Sequence, residues 1–231
     1  MNRMAIFVEG YTELVLVKRL IEEIAGDRVV IEQRRIRGGV TVRRKVITIE
    51  ASKPITNEKY YVLIVECGGD ALVKTRILEE YSSLATKGYS QIIGMRDIRG
   101  KFTYEEIAKL EKSLPLYVKT APIAVQFVLA IMEIEAWFLA ETDHYIKIDP
   151  AITVNAIKLT LNFDPENEDM QKRPTPSNDL DACYAIGGKN YEKRNAQDTI
   201  DALDYAKTCF QLCEKFPYLK LLIASIEAFL T

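Results

Sequence analysis

Met4-Ala5-Ile6-Phe7-Val8-Glu9-Gly10-Tyr11-Thr12-Glu13 is the stretch that decides the fold of this chain. Met4 to Val8 is an apolar run of strand formers, and Leu14, Val15, Val17, Leu20, Ile21 and Ile24 then recur at helical spacing. The chain therefore turns from strand to helix at Gly10, a residue that admits tight or left-handed turns. Thr12 and Glu13 suit a helix start, where the dipole favours an acidic side chain. Glu9 stands at the mouth of a buried strand, where a carboxylate needs a partner and a divalent cation is a common one. Glu13 has two readings, a second group at that mouth or simply the acid of the helix's first turn. Parallel sheets gather their binding sites at the carboxyl ends of strands, and that makes both residues candidates.

A second acid closes another buried run. Gln91-Ile92-Ile93-Gly94-Met95-Arg96-Asp97 follows a helix expected over 71–87 and precedes one expected over 103–114, so Asp97 falls at a strand's carboxyl end. As an Asp ahead of a glycine-containing loop it also reads as a turn former. A third run, Ile123 to Ile131, is long and β-branched and leads into Met132-Glu133-Ile134-Glu135-Ala136-Trp137-Phe138. Two more carboxylates thus meet a strand-to-helix junction. On alternate positions they point to different sides, so one is expected to face the cleft, and Glu135 is favoured over Glu133. Trp137 is assigned to packing.

Val8-Glu9-Gly10-Tyr11-Thr12-Glu13 resembles the Val-Glu-Gly-x-Thr-Glu signature of TOPRIM domains, the fold shared by topoisomerases, primases and the overcoming-lysogenisation-defect (OLD) nucleases. Ile93-Gly94-Met95-Arg96-Asp97 and Glu133-Ile134-Glu135-Ala136-Trp137-Phe138-Leu139-Ala140 resemble a smaller bacterial family of TOPRIM-like proteins carried as a domain of unknown function. That resemblance extends through Tyr191-Glu192-Lys193 toward the carboxyl end. It implies a TOPRIM-like α/β fold and a site for Mg²⁺ or Mn²⁺ that handles phosphodiester chemistry. In TOPRIM enzymes the first glutamate sits beside the scissile phosphate as acid, base or ligand, and an Asp-x-Asp pair holds magnesium. Carried onto this chain, Glu9 and Glu13 match the first motif, and Asp97 matches the leading aspartate of the second. The match departs at Arg99, which stands where the second aspartate would. A cation cannot ligate a metal, so Glu133 or Glu135 is left to restore a ligand, and Arg99 is suited to contact a phosphate. The implied metal ligands are Glu9, Glu13, Asp97 and Glu135, with Glu9 also catalytic.

The residue chemistry is compatible with that site. Magnesium takes oxygen ligands in octahedral geometry and keeps several waters, so two or three carboxylates plus a substrate phosphate suffice. Zinc is disfavoured by a single histidine, His144, and by cysteines (Cys67, Cys183, Cys209, Cys213) without metal-type spacing. His144, among Asp143, Tyr145 and Lys147, reads as a solvated or capping residue.

The chain's 231 residues, 48% hydrophobic and 28% charged, are those of an ordinary globular protein, and its net charge of −2 argues against a general nucleic-acid coating surface. Local charge matters more. Arg28, Arg34, Arg35, Arg37, Arg43, Arg44 and Lys45 form the densest basic stretch, in a segment that reads as two strands joined near Gly38-Gly39. Such a hairpin either follows a phosphate backbone, with Arg43 and Arg44 as contacts, or guards a sheet edge against aggregation. No initial segment resembles a signal peptide and no stretch reaches membrane-spanning length, so a cytoplasmic location without membrane partners is expected.

Tyr60 to Val65 adds another strand, and Glu66-Cys67-Gly68-Gly69-Asp70 reads as a tight turn rather than a phosphate loop. Strands and helices alternate up to Trp137, which predicts a mostly parallel central sheet flanked by helices over residues 1–142. Residues 143–231 are expected to form a helical subdomain, with helices over Leu180–Ile186, Ala196–Cys213 and Tyr218–Leu230. Within it, Gly187-Gly188-Lys189-Asn190-Tyr191-Glu192-Lys193-Arg194 is a basic loop. Lys193 is either a catalytic group that neutralises a phosphate or a leaving oxygen, or part of a solvated cluster. Two functions follow: a metal-dependent phosphodiesterase or nuclease acting on nucleic acid, or a noncatalytic TOPRIM-like module that works with a partner, such as an ATPase, in bacterial defence.

Overall fold

A computed structural model gives the structure of the protein and describes residues 1–39, 42–53, 58–69, 71–98 and 104–231, with 104 and 105 by their backbone alone. The opening run is β1 (Asn2–Val8), and Gly10 leads into α1 (Tyr11–Ala25). The basic segment forms β2 (Val29–Arg37) and β3 (Lys45–Glu50), and β4 (Tyr60–Glu66), α2 (Leu72–Thr86), β5 (Gln91–Ile98), α3 (Tyr104–Ser113) and β6 (Ala124–Ile131) follow. These strands make one six-stranded sheet in the order β3-β2-β4-β1-β5-β6. β1 runs parallel to β4 and β5, β2 runs parallel to β4, and β2 and β3 are antiparallel. The mostly parallel sheet flanked by helices is thus the expected one.

β1 lies centrally because it is apolar on both faces. Met4 to Val8 are completely buried, as strands covered on both sides require. Ala5 and Phe7 join Leu63, Val65, Val73, Ile77 and Leu84 in one core cluster, while Met4, Ile6 and Val8 alternate to the opposite face. The β2–β3 connection passes through Gly38 and Gly39 at φ +71° and +92°, and a Cβ on Gly39 would lie 2.8 Å from Nη1 of buried Arg76. Glycine is needed there on both counts.

By its contacts the chain forms two compact units, a first (Met1–Arg96, Phe102–Leu129 and Ala224–Thr231) and a second (Asp97–Lys101 and Ala130–Ile223). The final helix, α11 (Pro217–Phe229), carries its last turn into the first unit, where Phe229 meets the Tyr60 ring edge-on at 5.4 Å and Ser225 bonds Gln126 at 3.1 Å.

The second unit is helical, with α4 (Glu135–Ala140), α5 (His144–Ile148), α6 (Val154–Leu161), α7 (Pro176–Ala185) and α8 (Ala196–Ala202). Two of these, α5 and α6, had no counterpart in the sequence reading. α6 carries ordinary end signals, since Thr153 Oγ1 accepts the Ala156 N–H at 3.1 Å and Asn162 ends the helix at φ +56°. The helix expected over Ala196–Cys213 is interrupted. Leu203 is extended, and α9 (Tyr205–Lys207), a π-helical turn (Thr208–Leu212) and α10 (Cys213–Lys215) follow, begun by Asp204 accepting the Lys207 N–H at 2.8 Å.

Gly94 of β5 tests the packing of the first unit. A Cβ there would lie 2.8 Å from Ile77 Cδ1 and from two Phe127 ring carbons. Gly94→Ala is expected to cost about 1–3 kcal/mol by overpacking, measured as a lower urea midpoint.

Candidate functional site

The second unit builds its site from a backbone irregularity. β6 ends at Ile131, and Met132 follows in the left-handed region at φ +64°, a conformation that costs a residue with a Cβ on the order of 1–2 kcal/mol. The Glu133 N–H then closes back on the Ile131 carbonyl at 3.0 Å, and the Ala136 and Trp137 amides open α4 by bonding the Glu133 and Ile134 carbonyls at 3.1 and 2.9 Å. Strand alternation stops at that turn. Contrary to the expectation that only one of the two acids faces inward, both reach the same cation: Lys193 Nζ lies 3.3 Å from Glu133 Oε1 and 3.1 Å from Glu135 Oε2.

Asp97, next to last in β5, joins them with Oδ2 at 4.0 Å from the same ammonium. The three carboxylates are buried, at 1% exposure for Asp97, 6% for Glu133 and none for Glu135. Each glutamate has a further donor. Glu133 Oε2 accepts the Ser177 N–H at 2.7 Å in the first turn of α7, behind Pro176, where the helix dipole favours an anion. Glu135 Oε1 accepts the Tyr191 hydroxyl at 2.8 Å. Tyr191 is itself fixed, since its N–H donates to Asp181 Oδ1 at 2.8 Å and its ring packs edge-on to Tyr184 at 6.1 Å. Lys193 follows two residues later and is about one-third exposed, so it connects the buried acids with solvent.

The sequence-identified residues of the first unit have different partners. Glu13 Oε2 accepts the Gly10 N–H at 2.9 Å, which is the capping role weighed above. Glu9 follows the carboxyl end of β1, and its carbonyl accepts the Gly68 and Gly69 N–H groups at 3.0 and 3.1 Å. The Gly68-Gly69 amides are therefore spent on Glu9, and the segment is a plain turn. Most of the hairpin's basic residues are neutralised within the protein. Arg35 and Arg37 reach Glu66 at 2.6 and 3.2 Å, Arg34 pairs with Glu32, and Arg44 pairs with Glu80. Arg43 is exposed. Arg99 lies outside the described residues. Glu66, a buried acid at the end of β4, passed in the sequence only as part of a turn, and its position as last strand residue before a glycine pair was the signal for it.

Of the two readings of His144, solvated or capping, its burial removes the first. It is fully buried rather than solvated, its Nδ1 faces the Glu141 carbonyl, and its N–H donates to Glu141 Oε2 at 3.0 Å. Burial pushes the Glu141 carboxyl up, but His144 and the Asp143 N–H at 3.0 Å outweigh that and hold it below the ordinary value.

As a place for a metal the cluster fits in chemistry and differs in spacing. Carboxylate oxygens are what Mg²⁺ and Mn²⁺ take, and the cluster offers them from Asp97, Glu133 and Glu135. Lys193 Nζ donates to Glu135 and Glu133 at 3.1 and 3.3 Å and stands 4.0 Å from Asp97 Oδ2, whereas magnesium bonds oxygen at about 2.0–2.1 Å. Among the described residues no group of three or more His, Cys, Asp or Glu is arranged to hold a metal ion as the side chains stand. Among the described residues, too, no helix is long and apolar enough to cross a membrane.

In comparisons with protein-family models, curated proteins and solved structures, nothing matches this chain.

Tyr191→Phe removes one donor from a fully buried carboxylate and is expected to cost about 1–3 kcal/mol in chemical denaturation. The Glu141 network is tested by pH. A carboxyl whose folded pKa is depressed adds stability that is present above its unfolded value, 4.5 here, and is lost as pH falls through the folded value. The stability advantage of wild type over Glu141→Gln should therefore be full at pH 7 and shrink steadily below about pH 4.5, as read from urea titrations at each pH.

Proposed function

We propose that the protein is a divalent-metal-dependent phosphodiesterase of TOPRIM-like type that acts on nucleic acid. The observation that carries this reading is the convergence of Asp97, Glu133 and Glu135 on Lys193 within one unit. Asp97, Glu133 and Glu135 are the residues that would hold Mg²⁺ or Mn²⁺, and the ion would supply Lewis-acid stabilisation of charge on a phosphoryl oxygen. Lys193 is suited to neutralise a non-bridging or leaving oxygen, because it combines an ammonium with partial access to solvent. Tyr191 orients Glu135 through its hydroxyl, and the first turn of α7 fixes Glu133. Glu9 belongs to the first unit, and a role for it as acid or base rests on the sequence resemblance alone; Glu13 caps α1.

A second reading, a noncatalytic TOPRIM-like module working with a partner such as an ATPase, is favoured by two observations. The Lys193 ammonium already neutralises part of the carboxylate charge, and Arg35, Arg37 and Arg44 are engaged by Glu66 and Glu80.

Calorimetric titration with Mg²⁺ and Mn²⁺, run beside cleavage assays on single- and double-stranded DNA and RNA, separates the two. Wild type is expected to bind the ion and cleave. Glu135→Gln should weaken metal binding at least about tenfold, and Glu9→Gln should lower cleavage by about 10²–10⁴-fold, as loss of a general acid or base does, with an unchanged unfolding curve. A wild type that binds neither ion and cleaves none of these substrates would replace the enzyme reading with the second.

A further inference from the structure

The glycine-started basic loop between α7 and α8 walls a cleft of about 520 Å³ in the second unit, within the roughly 300–1,000 Å³ of small-ligand sites. Gly187 lets the loop close, since a Cβ there would lie 2.7 Å from Asp149, and Gly188 turns it at φ +68°. The cleft carries both signs of charge, Lys147 and Lys189 against Asp198 and Asp201, which lie three residues apart on one face of α8. Lys147 is held by the Ala202 carbonyl at 2.8 Å and Asp201 by the Gln197 amide at 3.0 Å. The Asp198 carboxylate is exposed and unpaired among the described residues. Two buried hydroxyls, those of Tyr184 and Thr199, also line the cleft and lie 2.8 Å apart. The pair holds two hydrogens and spends one between them, which leaves one O–H to donate, and burial keeps the Tyr184 phenol protonated by pushing it above its ordinary value. Tyr191 joins this cleft to the carboxylates, because it lines the one and its hydroxyl donates to Glu135 in the other.

We propose that this cleft is a subsite for the ribose phosphate of an RNA substrate, with Asp198 accepting the 2′-hydroxyl. The lining decides the chemical class. A purely anionic ligand is repelled by the two aspartates and a purely cationic one by the two lysines, so the fitting ligand presents hydroxyl donors together with an anion. A ribose phosphate does both. An ionised carboxylate only accepts and so takes the 2′-O–H, while the spare O–H of the Tyr184–Thr199 pair donates to a sugar oxygen. The Lys189 and Lys147 ammoniums keep donors for phosphate oxygens. Deoxyribose lacks the group that Asp198 takes, and the 2′-hydroxyl is what lets a protein separate RNA from DNA. This inference names the substrate class of the phosphodiesterase reading and rests on that reading for the polymer, whereas the ribose preference itself needs no metal.

Calorimetry on the full chain in EDTA tests it, with uridine and deoxyuridine 5′-monophosphates in one arm and short oligouridylate and oligodeoxyuridylate in the other. The ribose form should bind at least about tenfold tighter in both arms, as expected for one hydrogen bond to a charged group. Asp198→Ala should bring that ratio to about one with an unchanged unfolding curve, since the residue is exposed. Equal binding of the ribose and deoxyribose forms, or no binding of either up to about 1 mM, would overturn the proposal. So would a ribose preference that Asp198→Ala leaves intact, which places the recognition elsewhere. A preference confined to the mononucleotides overturns the RNA assignment in favour of a free nucleotide. Because EDTA removes the metal, a chain that cleaves but shows no such preference ends this inference alone. A chain that has the preference but binds no metal and cleaves nothing ends the phosphodiesterase reading alone.

Discussion

The second unit depends on how three buried carboxylates are balanced. Taking a carboxylate out of water costs several kcal/mol after relaxation, and unpaired it would not stay ionised. Here the compensation is shared by a lysine ammonium, the N–H of Ser177 in the first turn of α7 and the Tyr191 hydroxyl. Those donors come from segments far apart in sequence, so the cluster links the β6–α4 junction, α7 and the loop before α8. Met132 is central to the arrangement. Its left-handed turn places residues 133 and 135 on one cation, which a strand continuing past Ile131 would have prevented.

In the first unit electrostatics serves the fold in a different way. β2 brings Arg35 and Arg37 to Glu66 at the end of the adjacent parallel strand β4, and Arg35 and Glu66 are directly opposite in register. A cross-strand pair of that kind lets an acid sit at 3% exposure inside a sheet edge. The density of arginine in a sequence thus measures an opportunity for anion binding, and the acids on neighbouring elements decide how much remains. The same holds for Gly68-Gly69, whose amides bond the Glu9 carbonyl.

Much of the sheet was legible because apolar runs bounded by glycine translate directly into buried strands, and Met4–Val8, Tyr60–Val65 and Gln91–Asp97 all did so. The acids of the second-unit cluster were also legible as residues. Their grouping was not, because alternation at Glu133 and Glu135 is a strand rule and the left-handed Met132 suspends it. No local pattern marks a methionine for that conformation, which is imposed by its surroundings. Lys193 was readable only as one of several cations in a loop. Its special position comes from contacts with Glu133 and Glu135, about sixty residues earlier in the chain. The break after α8 had local marks, an Asp followed by a helix start, but an apolar periodicity running through it hid them.

The Lys193 position also sets the terms on which a metal-using and a metal-free protein differ. An ammonium and a divalent ion make incompatible demands on one set of oxygens. The first accepts acceptors at about 3 Å with loose angles, and the second requires them about 1 Å closer in near-octahedral order. Glu133 and Glu135 are held by Ser177 and Tyr191 through their second oxygens, so an inward shift must stretch or rotate about those bonds. Lys193, with its flexible stem and partial exposure, can leave at far lower cost. A divalent ion at this site would therefore have to offset its own dehydration together with the loss of the lysine contacts. A bound ion would draw the two glutamates inward against their bonds to Ser177 and Tyr191, and the departure of Lys193 is the smaller adjustment.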